Sequence, residues 1–337
     1  MTSPSRMPLK ASVNDDSGPV VAVQNLTTTL KLNKASFNPV ENVSFYVNPG
    51  EVLGLVGESG CGKSTTVLSL LRLVPPGTRL SGTVLFGGKN LLDLSEGEIR
   101  RVRGKDISMI FQEPMTALDP AFTIGSQIIE TIRAHIDVSP KEAVNQAIEI
   151  LQHVGIPNAV RRLRDYPHQF SGGMRQRVMI AMALVLKPRL LIADEPTSAL
   201  DVTIQAQILD LLAQLQTELN MSIILITHDL GVVHEIANRV AVMYAGEIVE
   251  TGSVDTIFRD PQHPYTQGLL RSMLDLSTGK GDLHTIPGRV PELWELPSGC
   301  RFAARCSNKI ARCTEEHPNL AEKGNGHGVR CINPTPF

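Results

Sequence analysis

Apolar residues in this chain of 337 residues gather into short runs, most of them the length of a β-strand. Val52–Val56 is apolar on both faces, as a central parallel strand would be. Leu190–Ala193, Ile223–Ile226 and Val240–Tyr244 have the same character. Val20–Leu26, Val43–Val47, Gly82–Phe86 and Ile107–Phe111 are further strand candidates, the second of them closed by the turn Asn48-Pro49-Gly50. Between these runs the period changes. Ser64–Leu73 predicts a helix. From Thr123 to Val154 the pattern is helical, with Val144, Ala147, Ile148, Leu151 and Val154 on one face. Arg161–Pro167 is polar and turn-like. A helix is predicted from about Met174 to Leu186, ended by Lys187-Pro188. Ile204, Ile208, Leu211, Leu212, Leu215 and Leu219 mark another, amphipathic one.

Strands alternating with helices predict an α/β fold of three layers with a mostly parallel sheet. That domain spans about residues 20–275, and the helical stretch of about 113–178 interrupts it as an inserted subdomain. Beyond residue 275 the periodicity fades. Residues 276–337 hold Pro287, Pro291, Pro297 and the only tryptophan, Trp294. They predict a small loop-rich appendage that needs a staple, because so short a segment builds little core. Residues 1–19 are polar and lack the apolar core of a secretory signal, so a disordered tail is expected there.

Composition narrows the functional classes. Hydrophobic content of 42% supports a sizeable core. The net charge is −2 and no basic block stands out, which argues against a nucleic-acid partner. The longest purely apolar run, Val178–Leu186, is too short to cross a bilayer as a helix. Of the five cysteines, four (Cys300, Cys306, Cys313 and Cys331) crowd the C-terminus. Such a cluster points to a metal site more than to disulfides.

The segment Gly57-Glu58-Ser59-Gly60-Cys61-Gly62-Lys63-Ser64, followed by Thr65, fits the pattern G-x-x-x-x-G-K-[ST] between a predicted strand and a predicted helix. Its glycines let backbone N–H groups turn toward phosphate oxygens, and the helix N-terminus adds partial positive charge. Lys63 is placed to reach the β- and γ-phosphates of a nucleotide, and Ser64 to offer its hydroxyl to Mg²⁺. Cys61, next to Lys63 and a helix N-terminus, is expected to be a reactive thiol, or equally a small residue at a free position of the loop. Further on, the apolar strand Leu190–Ala193 ends in Asp194 and Glu195. After a phosphate-binding loop, such acids suit Mg²⁺ orientation by Asp194 and water activation by Glu195 as general base. Ser171-Gly172-Gly173 opens a helix and offers a second anion site.

Tyr166-Pro167-His168-Gln169-Phe170-Ser171-Gly172-Gly173-Met174 resembles the signature segment of ABC-type ATPases. Gln112 stands where that family carries its Q-loop glutamine, Ser198-Ala199-Leu200-Asp201 where it carries the D-loop, and His228 where it carries the switch histidine. All six motifs occur in family order between residues 57 and 228. The resemblance implies two ATPase domains meeting head to tail. ATP then lies between one P-loop and the other domain's Ser171, Gly172 and Gly173. It implies that Gln112 touches Mg²⁺ and senses the membrane partner, and that His228 contacts the γ-phosphate and positions water. Two departures stand out. The family's adenine-stacking aromatic is replaced by Leu30, with Phe37 the aromatic of the same segment. The glutamine that usually follows the signature glycines is Met174, which cannot donate the same hydrogen bonds.

Arg259-Asp260-Pro261-Gln262-His263-Pro264-Tyr265-Thr266-Gln267-Gly268-Leu269-Leu270, Phe111-Gln112-Glu113-Pro114-Met115 and the terminal cysteines resemble the ATPase subunits of dipeptide and oligopeptide importers. That resemblance implies ATP-driven peptide uptake at the cytoplasmic face of a cell membrane. It also implies a second, different ATPase subunit, two transmembrane permease subunits and an extracytoplasmic solute-binding protein. Nickel or oligosaccharide import, or a non-transport ABC ATPase, is the alternative. On chemistry alone four thiolates suit either Zn²⁺ or an iron–sulfur cluster. The resemblance implies a 4Fe–4S cluster on Cys300, Cys306, Cys313 and Cys331.

Overall fold

The computed structural model describes residues 18–32, 35–112, 117–198, 200–278 and 285–337. Most of the expected tail, and Ala199 of the expected D-loop, lie outside the described residues. The chain forms two compact units, one of residues up to 93 with 227–337, the other of residues 94–226.

The first unit opens with the long strands β1 (Val21–Leu32) and β2 (Ala35–Val47). They pair antiparallel in a register running from Val21↔Val47 to Leu30↔Phe37 and beyond. The predicted strands cover only parts of this hairpin. The remainder runs through Thr27, Thr28 and Thr29, whose branched side chains suit a pleated surface although they read as polar. Thr28 is fully buried, and its hydroxyl shares a 2.7 Å hydrogen bond with that of Ser69. After β3 (Val52–Val56), buried at every residue, the chain enters α1 (Lys63–Leu70). Strands β4 (Arg79–Phe86) and β5 (Lys89–Asn90) then complete an antiparallel sheet of order β2-β1-β4-β5.

The second unit contains α2 (Glu96–Val102), β6 (Ile107–Ile110), α3 (Ile124–His135), α4 (Pro140–His153) and α5 (Ala159–Arg162). It continues with α6 (Gly172–Leu184), β7 (Leu190–Asp194), α7 (Val202–Leu219) and β8, whose span Ser222–Thr227 ends at the unit boundary. The helical pattern over Thr123–Val154 is two helices rather than one. Ser139 accepts from the Glu142 N–H while the Glu142 carboxylate accepts from the Ser139 N–H, and Pro140 takes the first helical position. This capping box begins a new helix four residues after α3 ends. Each helix buries a stripe at four-residue spacing: Ile124, Ile128 and Ile132 on α3, Ala143, Ala147 and Leu151 on α4. In the same unit β6, β7 and β8 pair in parallel, as their apolar runs predict.

Back in the first unit, α8 (Leu230–Ile236) leads into β9 (Arg239–Tyr244), which pairs in parallel with β3. A tight turn at Ala245 (φ 45°) and Gly246 (φ 87°) then reverses the chain into β10 (Glu247–Ser253), antiparallel to β9. Helices α9 (Val254–Arg259), α10 (Pro264–Thr278) and α11 (Arg312–Glu315) follow. The two-residue strands β11 (Ala321–Glu322) and β12 (Gly328–Val329) extend the sheet, with β12 antiparallel to β10. The chain therefore adds antiparallel pairing to the parallel pairing that the apolar runs predicted. Strand β10 escaped notice because its polar residues are buried against partners. Glu247 and Glu250, for example, are 3% and 0% exposed. Nor does a unit boundary fall near residue 275. From residues 285–337, Phe302 joins a core with β9 and β10, buried together with Tyr244, Val249, Ile257 and Tyr265, and Ile286, Val290 and Leu296 pack against it.

Candidate nucleotide site

The phosphate-binding loop joins β3 to α1. Gly57 has φ 149° and Gly62 φ 104°. A Cβ on Gly57 would come within 2.2 Å of the Met243 carbonyl oxygen, and one on Gly62 within 2.6 Å of the Pro39 carbonyl oxygen. Both positions therefore demand glycine for space as well as for backbone conformation. Gly62 caps α1 with no side-chain hydrogen bond, and the first turn carries no acid. The helix N-terminus is thus left to its own dipole, the condition that favours an anion. Ser59 and Gly60 are exposed, while Ser64 and Thr65 are half-buried on the first turn. Lys63 is 5% exposed, and its ammonium donates to the carbonyls of Gly57 at 2.7 Å and Glu58 at 3.0 Å. Its charge therefore sits inside the loop.

Cys61 does not match the expectation of a reactive thiol. It is 1% exposed. Burial pushes its thiol above the ordinary range, and the Lys63 charge only partly offsets that. Desolvation of the thiolate outweighs one neighbouring cation.

In the second unit, Asp194 ends β7 at 6% exposure, with Glu195 directly after it. Glu195 has φ 45°, and its N–H donates to the Ile226 carbonyl at 2.9 Å, so the sheet holds its backbone. Gln112, two residues past β6, donates from Nε2 to Glu195 Oε2 at 3.0 Å. The Q-loop glutamine and the expected base, 83 residues apart, are thus in direct contact. Ser171 caps α6 and accepts from the Met174 N–H. Ser171 and Gly172 are exposed. A Cβ on Gly173 would come within 2.8 Å of Ile204 Cγ2, so this glycine lets α6 lie close to α7.

His228 is exposed immediately after β8, in the first unit. Beside it, Asp229 accepts from the Gly231 and Val232 N–H groups at 2.8 and 3.3 Å and so caps α8. Leu30 pairs across the hairpin with Phe37, and Trp294 meets the Phe37 ring edge-on at 6.3 Å.

Several residues around the loop were not singled out from the sequence. The N–H of Glu58 donates to Tyr265 Oη at 2.8 Å instead of joining an inward ring of phosphate donors. The Glu58 carboxylate receives both terminal nitrogens of Arg305, at 2.6 and 2.9 Å. The sole sequence signal for these partners is their place in the His263-Pro264-Tyr265 segment and beside Cys306.

Cys300 and Cys313 are joined by a 2.8 Å backbone hydrogen bond from the Cys300 N–H. Burial raises the thiols of Cys300, Cys306 and Cys331, that of Cys331 to about 11, and the charges of neighbouring cysteines raise them further. Among the described residues, no group of three or more His, Cys, Asp or Glu is placed to hold a single metal ion. No helix of the described residues is long and apolar enough to cross a membrane.

Comparison with known proteins agrees with this geometry. Residues 40–198 match the ABC transporter family, and residues 249–313 match the C-terminal region of oligopeptide/dipeptide transporters. A putative peptide import ATP-binding protein of Brucella melitensis is 52% identical over 327 residues, covering 93% of this chain and 97% of the relative. The dipeptide transport ATP-binding protein DppD of Bacillus subtilis is 50% identical over 314 residues, covering 93% and 94%. Among solved structures, the dimeric post-hydrolysis state of the ATP-binding cassette MJ0796 bound to ADP and Pi is similar, with a TM-score of 0.61 and 29% identity. It covers 69% of this chain and 98% of that one. This chain belongs to the ABC transporter family of ATP-binding proteins and has the ATP-binding cassette fold.

Proposed function

We propose that this chain is the ATP-hydrolysing subunit of a peptide importer, working at the cytoplasmic face of the membrane that holds its permease partners. The observation that carries this reading is the extent of the likeness. Two relatives named for peptide or dipeptide transport each cover 93% of the chain, including the C-terminal region. Along the chain the nucleotide-binding region spans residues 20–275, with a helical subdomain at about 113–178, and residues 276–337 make up an appendage that belongs to the same compact unit as the P-loop.

The mechanism assigns each site residue a task. Gly57, Glu58, Ser59, Gly60, Cys61, Gly62, Lys63, Ser64 and Thr65 shape the loop that takes the ATP phosphates. On nucleotide binding, Lys63 exchanges its carbonyl partners for phosphate oxygens. Ser64, Gln112 and Asp194 would hold Mg²⁺ or its water, and the ion would neutralise developing phosphate charge. Glu195 takes the proton of the attacking water, and the Gln112 amide orients its carboxylate. His228 positions that water against the γ-phosphate. Phe37, with Trp294 beside it, offers the aromatic surface for adenine in place of Leu30. Exposed Ser171 and Gly172, with Gly173, serve the ATP bound by a second ATPase subunit, which we take to be a different chain. Closure of the pair on ATP transmits force to two permease subunits that receive peptide from an extracytoplasmic binding protein.

For the appendage, the donor set fits a 4Fe–4S cluster held by Cys300, Cys306, Cys313 and Cys331, with Zn²⁺ the alternative. Burial pushes up the thiols of Cys300, Cys306 and Cys331, so holding them as thiolates calls for cations among them. Such a cluster would supply a structural staple.

Vesicles reconstituted with the chain, its permeases, its ATPase partner and its binding protein provide the test. Peptide should stimulate both ATP hydrolysis and peptide uptake. Stimulation by Ni²⁺ or an oligosaccharide but not by peptide would overturn the substrate assignment.

A further inference from the structure

The loop between the first two C-terminal cysteines reads Cys300-Arg301-Phe302-Ala303-Ala304-Arg305-Cys306. Its two arginines are buried, at 8% and 9% exposure, and both reach toward the phosphate-binding loop. Arg305 does so directly. It grips the Glu58 carboxylate with two parallel hydrogen bonds, and its remaining donors go to the carbonyls of Pro287 at 2.8 Å and Ile286 at 3.2 Å. Arg301 does so through one intermediate. It donates to the Ala245 carbonyl and pairs with Glu41 and Glu247. The next residue, Gly246, donates its N–H to the Cys61 carbonyl at 2.8 Å and accepts from the Glu41 N–H at 2.9 Å. Between the arginines, Phe302 packs against Tyr244, Tyr265 and His263, with ring centroids 5.1, 5.4 and 5.7 Å away. Tyr265 in turn holds the Glu58 N–H.

The charge of Glu58 is a liability that the structure offsets. A carboxylate in a loop meant for phosphate repels its ligand. The paired guanidinium cancels that charge and fixes its direction, and bidentate pairs are the strongest of their kind. With the side chain tied to Arg305 and the N–H to Tyr265, Glu58 has one orientation before any nucleotide arrives. A loop ordered in advance loses less entropy on binding.

We infer that Arg305 is a positioning residue for the nucleotide site: the Cys300–Cys306 loop clamps the phosphate-binding loop through Arg305 and Glu58, with Arg301 bracing the neighbouring turn. The inference rests on the reading of residues 57–65 as an ATP site. It makes the C-terminal appendage a part of that site rather than an attachment to it. Whatever secures Cys300 and Cys306 then also secures the P-loop.

The test uses the full chain with its ATPase partner. It measures affinity for a fluorescent ATP analogue and hydrogen exchange of the residue 57–65 amides without nucleotide. Arg305→Ala and Glu58→Gln should each weaken binding about tenfold, the size expected for a lost charge-assisted bidentate pair. Each should also quicken exchange in the loop. The double variant should be no worse than either single one, since both remove the same contact. Arg305→Lys, which keeps the charge but not the fork, should fall between wild type and Arg305→Ala. Glu58→Gln guards against the trivial outcome in which Arg305→Ala merely unfolds the appendage, because it changes only the loop side. Wild-type affinity and exchange in Glu58→Gln would overturn the clamp, as would additive losses in the double variant. Failure of the wild-type chain to bind any ATP analogue would instead defeat the nucleotide-site reading itself.

Discussion

The phosphate-binding loop and the cysteine appendage belong to the same compact unit, yet they are built on opposite principles. The loop is backbone chemistry: glycines at positive φ, an uncapped helix end and one lysine, all contiguous in sequence. The appendage is side-chain chemistry over long distances. Arg330 donates from Nε to the Ile248 carbonyl at 2.8 Å, and His327 Nε2 lies 2.8 Å from the Glu250 carboxylate. Glu250 also accepts the N–H groups of Gln262 and His263 at 2.6 and 3.1 Å. Buried ions of this kind hold only while every partner is present. The loop's form should therefore turn on its glycines and on the single Glu58–Arg305 pair, whereas the appendage should fail as a whole when one partner is lost.

The largest effect expected on the appendage side comes from its thiols. Cys300→Ser should abolish binding of iron and acid-labile sulfide in anaerobically purified protein and quicken hydrogen exchange across residues 286–331. Wild-type protein that carries one zinc and no iron would replace the cluster by zinc and keep the staple. Wild-type protein with no metal and a folded appendage would remove both.

A smaller effect is expected from acid. His263 is 1% exposed, and burial lowers its pKa from 6.5 to about 4, with Glu250 opposing that shift and Arg330 adding to it. Its Nδ1 accepts the Tyr265 N–H at 3.1 Å, so the folded state holds the ring neutral. The unfolded chain takes up the proton first as pH falls. Stability contributed by this residue is complete above pH 6.5 and is lost down to about pH 4. The loss amounts to about 3 kcal/mol by linkage. His263→Asn, which keeps an acceptor and cannot titrate, should flatten that part of the urea-stability profile. A slope identical to wild type would show that other groups govern the acid response.

The two regions also differ in what the sequence disclosed. The P-loop, the acid pair after Leu190–Ala193 and the Ser171 cap were legible because each is a local pattern with a local cause. So were strands β3 and β6–β8, whose apolar runs admit few alternatives. Strand β10 was missed because Glu247 and Glu250 look like surface residues until Arg301, Arg330 and His327 are brought to them. The Gln112–Glu195 contact and the Glu58–Arg305 pair join residues 83 and 247 positions apart. No spacing rule reaches that far. Cys61 was misjudged for a related reason: its neighbours in sequence favour a thiolate, and only its burial reverses the sign.

The account turns on Glu195 as the base that activates water for ATP hydrolysis. Its most direct test is ATP turnover by the assembled transporter carrying Glu195→Gln, with nucleotide binding measured on the same preparation. Turnover should fall at least about 100-fold, the scale of a lost general base, while ATP remains bound. Turnover within a few-fold of wild type at full ATP occupancy would contradict that role.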